Sequence, residues 1–334
     1  MTTTAHAAAQ PTTSFVVTCH NLGQYLDDAV SSILAQTVRD LEIVVVNDGS
    51  TDALTCRVLA DYARDRTRVV HGVRRGLPGA RNFGVTHTSG RFLCMVDADD
   101  MLEPTYLERS LSVLDARPEL AFASHWLRAF GEESWEWTPT DCSLESLLLH
   151  NTVNGAALIR REAFEAIGGF DESMVDGCED WELWIRAVEA GFEGTIIPEF
   201  LCRYRRRSDS MSRAMHTWPG MAGLYRQLVE RHPGAFARHL TALLASRDEE
   251  IRSVSTSLWQ LEAAWAATHA AGAQWSADNV QDCRAVMRES GRDDEMSTAK
   301  AHLGHLMADN RALRESWSWR VTAPLRAALG WVRR

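Results

Sequence analysis

Two aspartates one residue apart, Asp97 and Asp99 in the triplet Asp97-Ala98-Asp99, close a short apolar run. Two carboxylates at the end of a buried strand can both reach a hard divalent cation. Mg²⁺ or Mn²⁺ takes such oxygen ligands and shares the rest of its shell with diphosphate oxygens. The same residues also suit a capped turn. Asp48 stands in Asn47-Asp48-Gly49-Ser50-Thr51-Asp52, where Gly49 permits a sharp turn and Ser50 or Thr51 can cap the next helix. A carboxylate facing a cleft from there suits a base or a ribose hydroxyl. Gly76-Leu77-Pro78-Gly79-Ala80-Arg81-Asn82 opens a helix. Its glycines let backbone N–H groups approach an anion, and Arg81 can grip a phosphate with two parallel bonds, the plainer alternative being a surface ion pair. Glu179 and Asp180 begin another helix, with Trp181 and Trp184 behind them. Acids there complement the helix dipole. Beside indoles, which hold the C–H faces of sugar rings, they can also take a proton from an acceptor hydroxyl, help worth roughly 10²–10⁴-fold.

These residues need a frame. Ser14–Cys19, Leu41–Val46, Arg68–His71 and Phe92–Val96 read as strands. Helical periodicity separates them, in Tyr25–Leu34, Asp52–Arg64 and Ala80–Thr88. Near-continuous apolar strands between helices predict a mostly parallel sheet with helices on both faces, whose ligands bind beyond the carboxyl ends of the strands. Thr18–Asn21, Asn47–Thr51 and Asp97–Asp100 fall there. Glu119–Trp137 reads as extended, Ala156–Ile159 as a strand followed by a short helix that Gly168-Gly169 stops, and Thr195–Ile197 as a strand closed by Pro198. After Trp218 the pattern is helical. Ile251, Val254, Leu258, Leu261 and Trp265 recur at 3 and 4, as do Leu303, Leu306, Asn310, Leu313 and Trp317. Two heptads leave a homo-oligomer open beside plain packing. The expected division is a leader over 1–13, an α/β domain over 14–217, a helical region over 218–299 and a basic amphipathic tail over 300–334.

Composition sets outer limits. At 334 residues the chain is long enough for about two domains of roughly 150 residues each. With 45% apolar and 24% charged residues it is neither disordered nor collagen-like, and no window approaches a membrane span of roughly 20 apolar residues. A net charge of −10 argues against a nucleic-acid partner. Seven scattered cysteines without a CxxC pair, behind a start that lacks an export signal, read as reduced thiols in a cytoplasmic protein. The last 35 residues differ from the body, with seven basic residues against two acidic ones. Within them, residues 316–334 carry four arginines and no acid, with Trp317, Val321, Leu325, Ala328 and Val332 on one helical face. That suits a peripheral anchor on the anionic cytoplasmic face of a membrane, or a docked helix.

The stretches SFVVTCHN, LEIVVVNDGSTD, GLPGARNFGVTHTSGRF, MVDADD, LIRREAFEAIGGFDE, EDWELW and YRRRSDSMS, in this order, resemble the family 2 glycosyltransferases of the GT-A fold. The likeness runs from Ser14 to Ser212 and extends to enzymes that build bacterial cell-surface glycans. It implies a Rossmann-like GT-A sheet followed by an all-α region. It also implies inverting, metal-dependent transfer of one sugar from a nucleoside-diphosphate sugar, a UDP-sugar being favoured, to a glycan or lipid-linked glycan. Carried over by position, Thr18, His20, Asn21, Asp48, Arg81 and Asp97 would bind the nucleotide. Asp97 and Asp99 would hold Mn²⁺ or Mg²⁺. Asp180 would be the general base, assisted by Glu179, with Trp181 and Asn154 on the acceptor side. The chain departs from the family at Thr18-Cys19-His20-Asn21, where Pro-x-Tyr-Asn is usual, and at Arg207, where a histidine metal ligand often stands. Arg207 would pair with diphosphate instead. The QxxRW signature of processive synthases is missing, which favours addition of a single sugar. A catalytically silent nucleotide- or glycan-binding module is the alternative. A sugar-phosphate nucleotidyltransferase is disfavoured, because CHNLGQYLDD is not the long phosphate loop such enzymes place after the first strand.

Overall fold

In the computed structural model, residues 11–210 and 220–272 are described. The chain divides into two compact units, Met1–Ala214 and Met215–Arg334.

The first unit is built on one sheet whose strands run in the order β3-β2-β1-β4-β8-β6-β9-β5, with β7 paired to β6. The strands are β1 (Thr13–Cys19), β2 (Leu41–Asp48), β3 (Thr67–Gly72), β4 (Phe92–Asp97), β5 (Met101–Leu102), β6 (Leu120–Gly131), β7 (Glu136–Trp137), β8 (Leu158–Arg160) and β9 (Glu193–Arg206). β1 pairs in parallel with both β2 and β4, and β2 with β3. β8 is antiparallel to β4 and β6, whereas β6 and β9 are parallel. The chain winds outward from β1 in both directions, so the carboxyl ends of β1 and β4 form a crevice where the winding reverses. Cys19 lies opposite Asn47 and Thr18 opposite Asp97, so the polar motifs emerge side by side.

Strand residues alternate between two buried faces. Phe15, Val17 and Cys19 join the core with Ile43, Val45, Phe92, Cys94 and Val96. That face is covered by α1 (Gly23–Leu34), α2 (Ala53–Ala60) and α4 (Tyr106–Ala116), which contribute Leu26, Ile33, Leu59, Tyr106 and Leu107. On the opposite face α3 (Gly76–Val85) lies so close that a Cβ on Gly84 would meet Val16 Cγ1 at 2.3 Å and Val46 Cγ2 at 2.8 Å. The short helices α5 (Leu144–Leu149) and α6 (Arg161–Ala166) and the longer α7 (Glu179–Glu189) complete the unit.

Several boundaries differ from the sequence reading. β1 begins at Thr13, inside the expected leader, and Thr12 is tied to Asp40 by backbone and side chain. Asp52, rather than Ser50 or Thr51, caps α2, its Oδ1 accepting from Leu54 N at 3.0 Å and Thr55 N at 2.9 Å. Ser50 Oγ instead accepts from Asn21 N. α3 begins at Gly76, four residues before the expected start. Pro198 does not close a strand. β9 continues through it to Arg206, because Ile197 pairs with His125 and Phe200 with Trp126, leaving Pro198 and Glu199 in a bulge. A residue without an N–H is tolerated where no ladder bond is needed.

The second unit contains α8 (Gly220–Arg231) and α9 (Pro233–Gly272). They bury Leu224, Tyr225, Leu228, Phe236 and Leu243, together with Arg247, which donates to the Tyr225 hydroxyl and pairs with Glu250 at 3.1 Å. The Ile251–Trp265 repeat lies on α9. The Leu303–Trp317 repeat and the basic 300–334 tail lie outside the described residues, as do positions 1–10 of the leader. Among the described residues no helix is long and apolar enough to cross a membrane.

Candidate active site

At the mouth of the crevice, Thr18 Oγ1 donates to Asp97 Oδ1 at 3.0 Å. Arg81, from the first turns of α3, donates to the same oxygen at 3.0 Å through Nη2. Its Nη1 donates to Glu179 Oε1 at the start of α7. One guanidinium, only 4% exposed, thus joins the Asp97-Ala98-Asp99 turn to the acidic helix start. The sequence reading allowed a phosphate grip or a surface ion pair. The structure instead encloses Arg81 among carboxylates, with its plane 5.2 Å from the Phe170 ring. The segment before α7 closes over it. Asn82 Nδ2 donates to Phe170 O, and Phe170 N donates back to Asn82 Oδ1, each at 2.9 Å.

Burial alone would lower the Arg81 pKa, but the charges of Asp97, Glu179 and Asp180 outweigh it and raise it. Burial pushes the Glu179 carboxyl up to about 7, with Arg81 pulling it down and Asp180 pushing it further up. Burial also raises Asp180, against the pull of Arg81, the Trp181 N–H and the Asn151 side chain. Asp180 Oδ1 accepts from Trp181 N at 2.7 Å. Cys178, the residue before α7, sits in the left-handed region at φ 58° after Gly177 at φ 108°. A non-glycine residue there stores strain, which is often found where side chains are aimed at a functional site.

Two further arginines, one near the end of β9 and one just beyond it, meet the other aspartates. Arg207 Nε donates to Asp99 Oδ2 at 2.8 Å and its Nη1 to Asp209 Oδ1 at 2.9 Å. Arg205 donates through its backbone N to Asp100 Oδ1 and through Nε to Asp99 O. Both guanidiniums lie over the Tyr25 ring, at 4.6 Å for Arg205 and 5.7 Å for Arg207. Burial raises the Asp99 pKa, the charge of Asp97 adds to this, and Arg207 opposes it. Asp100 is raised well above its usual range, again by burial first.

Asp48 is buried, and its Oδ1 accepts from Arg75 N at 2.7 Å. Its Oδ2 accepts from Gly76 N at 3.1 Å and from the half-exposed Arg74. His20 Nδ1 donates to Asp48 O at 2.9 Å, which fixes the imidazole at the β2 end. Asn21, at φ 57°, accepts from Thr51 N at 2.8 Å and Asp52 N at 3.1 Å through its own Oδ1. It clasps the β1–α1 and β2–α2 loops together.

The acceptor-side expectations fare differently. Trp181 and Trp184 are 2% and 1% exposed, so neither offers an open face to a sugar ring. Trp181 Nε1 donates to Leu147 O, and Trp184 packs 4.8 Å from the Phe122 ring. Helical spacing turns both indoles inward. Asn154 is also buried, and both ends of its amide are engaged. Its Nδ2 donates to His125 O at 3.1 Å, and its Oδ1 accepts from Ala156 N at 2.8 Å. Asn151, which bonds Asp180, carries no motif that would have singled it out. Arg205 had a readable signal in its i, i+2 relation to Arg207 at the end of an extended run.

Residues 14–168 match the family model described as Glycosyl transferase family 2. An uncharacterised glycosyltransferase of Haemophilus influenzae is 26% identical over 60% of this chain and 68% of its own length. The putative glycosyltransferase EpsH of Bacillus subtilis is 32% identical over 34% of each chain, so this chain spans about a third of that relative. Among solved structures, S. aureus TarS 1-349 in complex with UDP-GlcNAc gives a TM-score of 0.53 at 18% identity, covering 65% of this chain and 66% of that one. The mannosyltransferase PcManGT from Pyrobaculum calidifontis, in complex with GDP-Man and Mn²⁺, gives 0.57 at 20% identity, covering 93% and 88%. Those likenesses show a shared GT-A fold.

Proposed function

Residues 14–168 are a family 2 glycosyltransferase domain, and from that premise we propose that the chain moves a single sugar from a nucleoside-diphosphate sugar to a hydroxyl of a glycan or lipid-linked glycan, with inversion. The observation that carries this reading is the Arg81 bridge. It brings the Asp97 carboxylate and the Glu179-Asp180 helix start into one enclosed cluster, so a donor held at the first adjoins a base at the second.

Asp180 takes the proton of the acceptor hydroxyl. The freed oxygen forms its bond to the anomeric carbon on the side opposite the diphosphate, whose bond to that carbon breaks. Arg81 holds Asp97 and Glu179, and the Trp181 N–H holds Asp180. Thr18, His20, Asn21 and Asp48 shape the nucleotide side, His20 offering its ring to the base. Arg207, at the rim on Asp99, meets the diphosphate.

Asp97 and Asp99 fit Mn²⁺ or Mg²⁺. Asp97 takes its hydrogen bonds on Oδ1, which leaves Oδ2 for a cation, and Asp99 takes the Arg207 bond on Oδ2, which leaves its Oδ1. Among the described residues no group of three or more His, Cys, Asp or Glu side chains is set to hold a metal. A Mg²⁺ or Mn²⁺ ion on two carboxylates completes its shell with phosphate oxygens and water. When bound, it supplies positive charge to the departing diphosphate. TarS in complex with UDP-GlcNAc and PcManGT in complex with GDP-Man and Mn²⁺ support donors of this class. A cytoplasmic enzyme held peripherally on the membrane through residues 316–334 accords with a lipid-linked acceptor, and co-sedimentation with anionic vesicles, with and without those residues, tests that part.

The deciding experiment pairs donor hydrolysis with thermal stabilisation across UDP-, GDP- and dTDP-sugars, with Mn²⁺, with Mg²⁺ and with chelator. Metal-dependent stabilisation by one donor with slow release of its sugar is expected. In that assay Asp180→Asn is expected to lose transfer and keep the stabilisation. Wild-type turnover in that variant removes Asp180 from its role. Stabilisation without turnover of any donor supports the silent binding module, for which the Arg207–Asp99 pair is the favouring observation.

A further inference from the structure

We propose that Gly155 determines which hydroxyls reach Asp180, by keeping open a slot wide enough for a ring-borne secondary hydroxyl of a pyranose acceptor. The inference rests on the reading of Asp180 as the general base.

The two oxygens of Asp180 are not equivalent. Oδ1 is held by the Trp181 N–H at 2.7 Å. Oδ2 faces Gly155, where a Cβ would stand 3.6 Å from it, 3.4 Å from Arg81 Nη2 and 3.9 Å from Arg81 Cζ. The missing side chain therefore leaves a space bounded by the base on one side and the Arg81 guanidinium on the other. Arg81 and Glu179 are buried, whereas Asp97, Asn151, Gly155 and Asp180 are half-buried. Gly155 thus shares partial exposure with Asp97, Asn151 and Asp180, and lies with half-buried Ala156 between buried Asn154 and buried Ala157.

No backbone requirement explains a glycine here. Gly155 is not among the glycines with positive φ, and the contacts of an added Cβ are ordinary van der Waals distances. A methyl group would be accepted by the fold and could not swing aside, because both flanks are fixed. Asn154 is anchored to His125 O and Ala156 N, and Ala156 O accepts from the Tyr106 hydroxyl at 2.7 Å.

A hydroxyl that gives its proton to Oδ2 must approach to about 2.6–3.2 Å. Water and a primary alcohol can do so beside a methyl group. A secondary hydroxyl on a pyranose brings two ring carbons with it, and those need the volume that the methyl would fill. A misplaced methyl-sized group in a binding pocket typically costs about 10–200-fold in discrimination.

The test uses the full chain with UDP-GlcNAc and GDP-mannose as donors, Mn²⁺ present, and water, glycerol and methyl α-glucopyranoside as competing acceptors. The readout is the partition of the transferred sugar between them, for wild type, Gly155→Ala and Gly155→Val. Nucleoside-diphosphate stabilisation is recorded in parallel. Wild type is expected to glycosylate the ring. Gly155→Ala is expected to lower ring transfer relative to hydrolysis by about 10–200-fold and Gly155→Val to lower it further, with nucleotide stabilisation retained in both. An unchanged partition in Gly155→Ala overturns the proposal, as does a wild type that hydrolyses donor without glycosylating the ring. Loss of nucleotide stabilisation in Gly155→Ala also overturns it, because the residue is then a packing element. Asp180→Asn in the same assay separates the two readings. Full turnover there removes the base, whatever Gly155→Ala does.

Discussion

A buried cation has to be matched by charge, and Arg81 is matched twice. Removing the guanidinium while keeping apolar bulk, as in Arg81→Met, leaves Asp97 and Glu179 without their shared partner. Breaking such a pair typically costs about 3–5 kcal/mol, so urea unfolding of this variant is expected to show a loss of that order, and an unchanged midpoint would contradict the bridge. Glu179 gives a second check with a defined sign. Its folded value, pushed up to about 7 from 4.5, means the native state keeps a proton there that the unfolded chain has released. Stability therefore declines as pH rises from about 4.5 to 7 and levels off above. Asp180 and Asp99 are shifted the same way, so Glu179→Gln is expected to flatten the decline in thermal midpoint over this window without abolishing it. At this scale the sequence was partly legible. Asp97, Asp99, Glu179 and Asp180 stand out because paired carboxylates at a strand end and beside indoles at a helix start suit a cation and an acceptor hydroxyl as well as a cap. The partners of Arg81 were not legible, since Asp97 and Glu179 lie 16 and 98 residues away and no spacing rule spans both. The burial of Trp181, Trp184 and Asn154 was not legible, because residue type does not reveal which way a side chain points.

Elements place these groups through close contacts of a few small residues. Gly84 lets α3 sit on β1 and β2, and thereby sets the depth of Arg81. Gly84→Ala would drive a methyl to 2.3 Å from Val16 Cγ1. Overpacking of this kind costs about 1–3 kcal/mol or more, expected as a lowered urea midpoint. Asn21 joins two loops through backbone N–H groups of Thr51 and Asp52. Asn21→Ala leaves those donors without their acceptor, a loss of about 1–3 kcal/mol, and weakened nucleotide stabilisation is expected to accompany it because His20 is the adjacent residue. The strands were legible as near-continuous apolar runs and the helices through their periodicity of 3.6. What periodicity could not convey was accommodation. Pro198 lies in a bulge that only the pairing partner β6 reveals. α1 begins without a side-chain cap, so no capping residue marked its start, whereas the glycine-rich Gly76–Asn82 entry did mark the start of α3.

The molecule as a whole comprises two units divided after Ala214. All the groups gathered at the candidate site belong to the first, so a fragment ending at Ala214 is expected to fold and to be stabilised by its nucleoside diphosphate. Ligand at 100 times Kd adds about 2.7 kcal/mol to a folded state that binds it, readable as a raised thermal midpoint. A fragment that binds no nucleotide would place part of the site beyond residue 214. The fold class was legible at this scale because strand and helix patterns alternate over the first hundred residues. The use of the helical unit was not, since its buried Tyr225 and Arg247 belong to no motif. The Arg81 bridge also has a consequence in time. Arg81 is synthesised 98 residues before Glu179, an interval of about 5–20 s at ribosomal rates of roughly 5–20 residues per second. Asp97 follows Arg81 after 16 residues, and from then on the nascent chain carries an arginine destined for the interior whose Glu179 partner is still to be made. The counter-charge of Arg81 is thus completed by α7, one of the last segments of its domain to be translated.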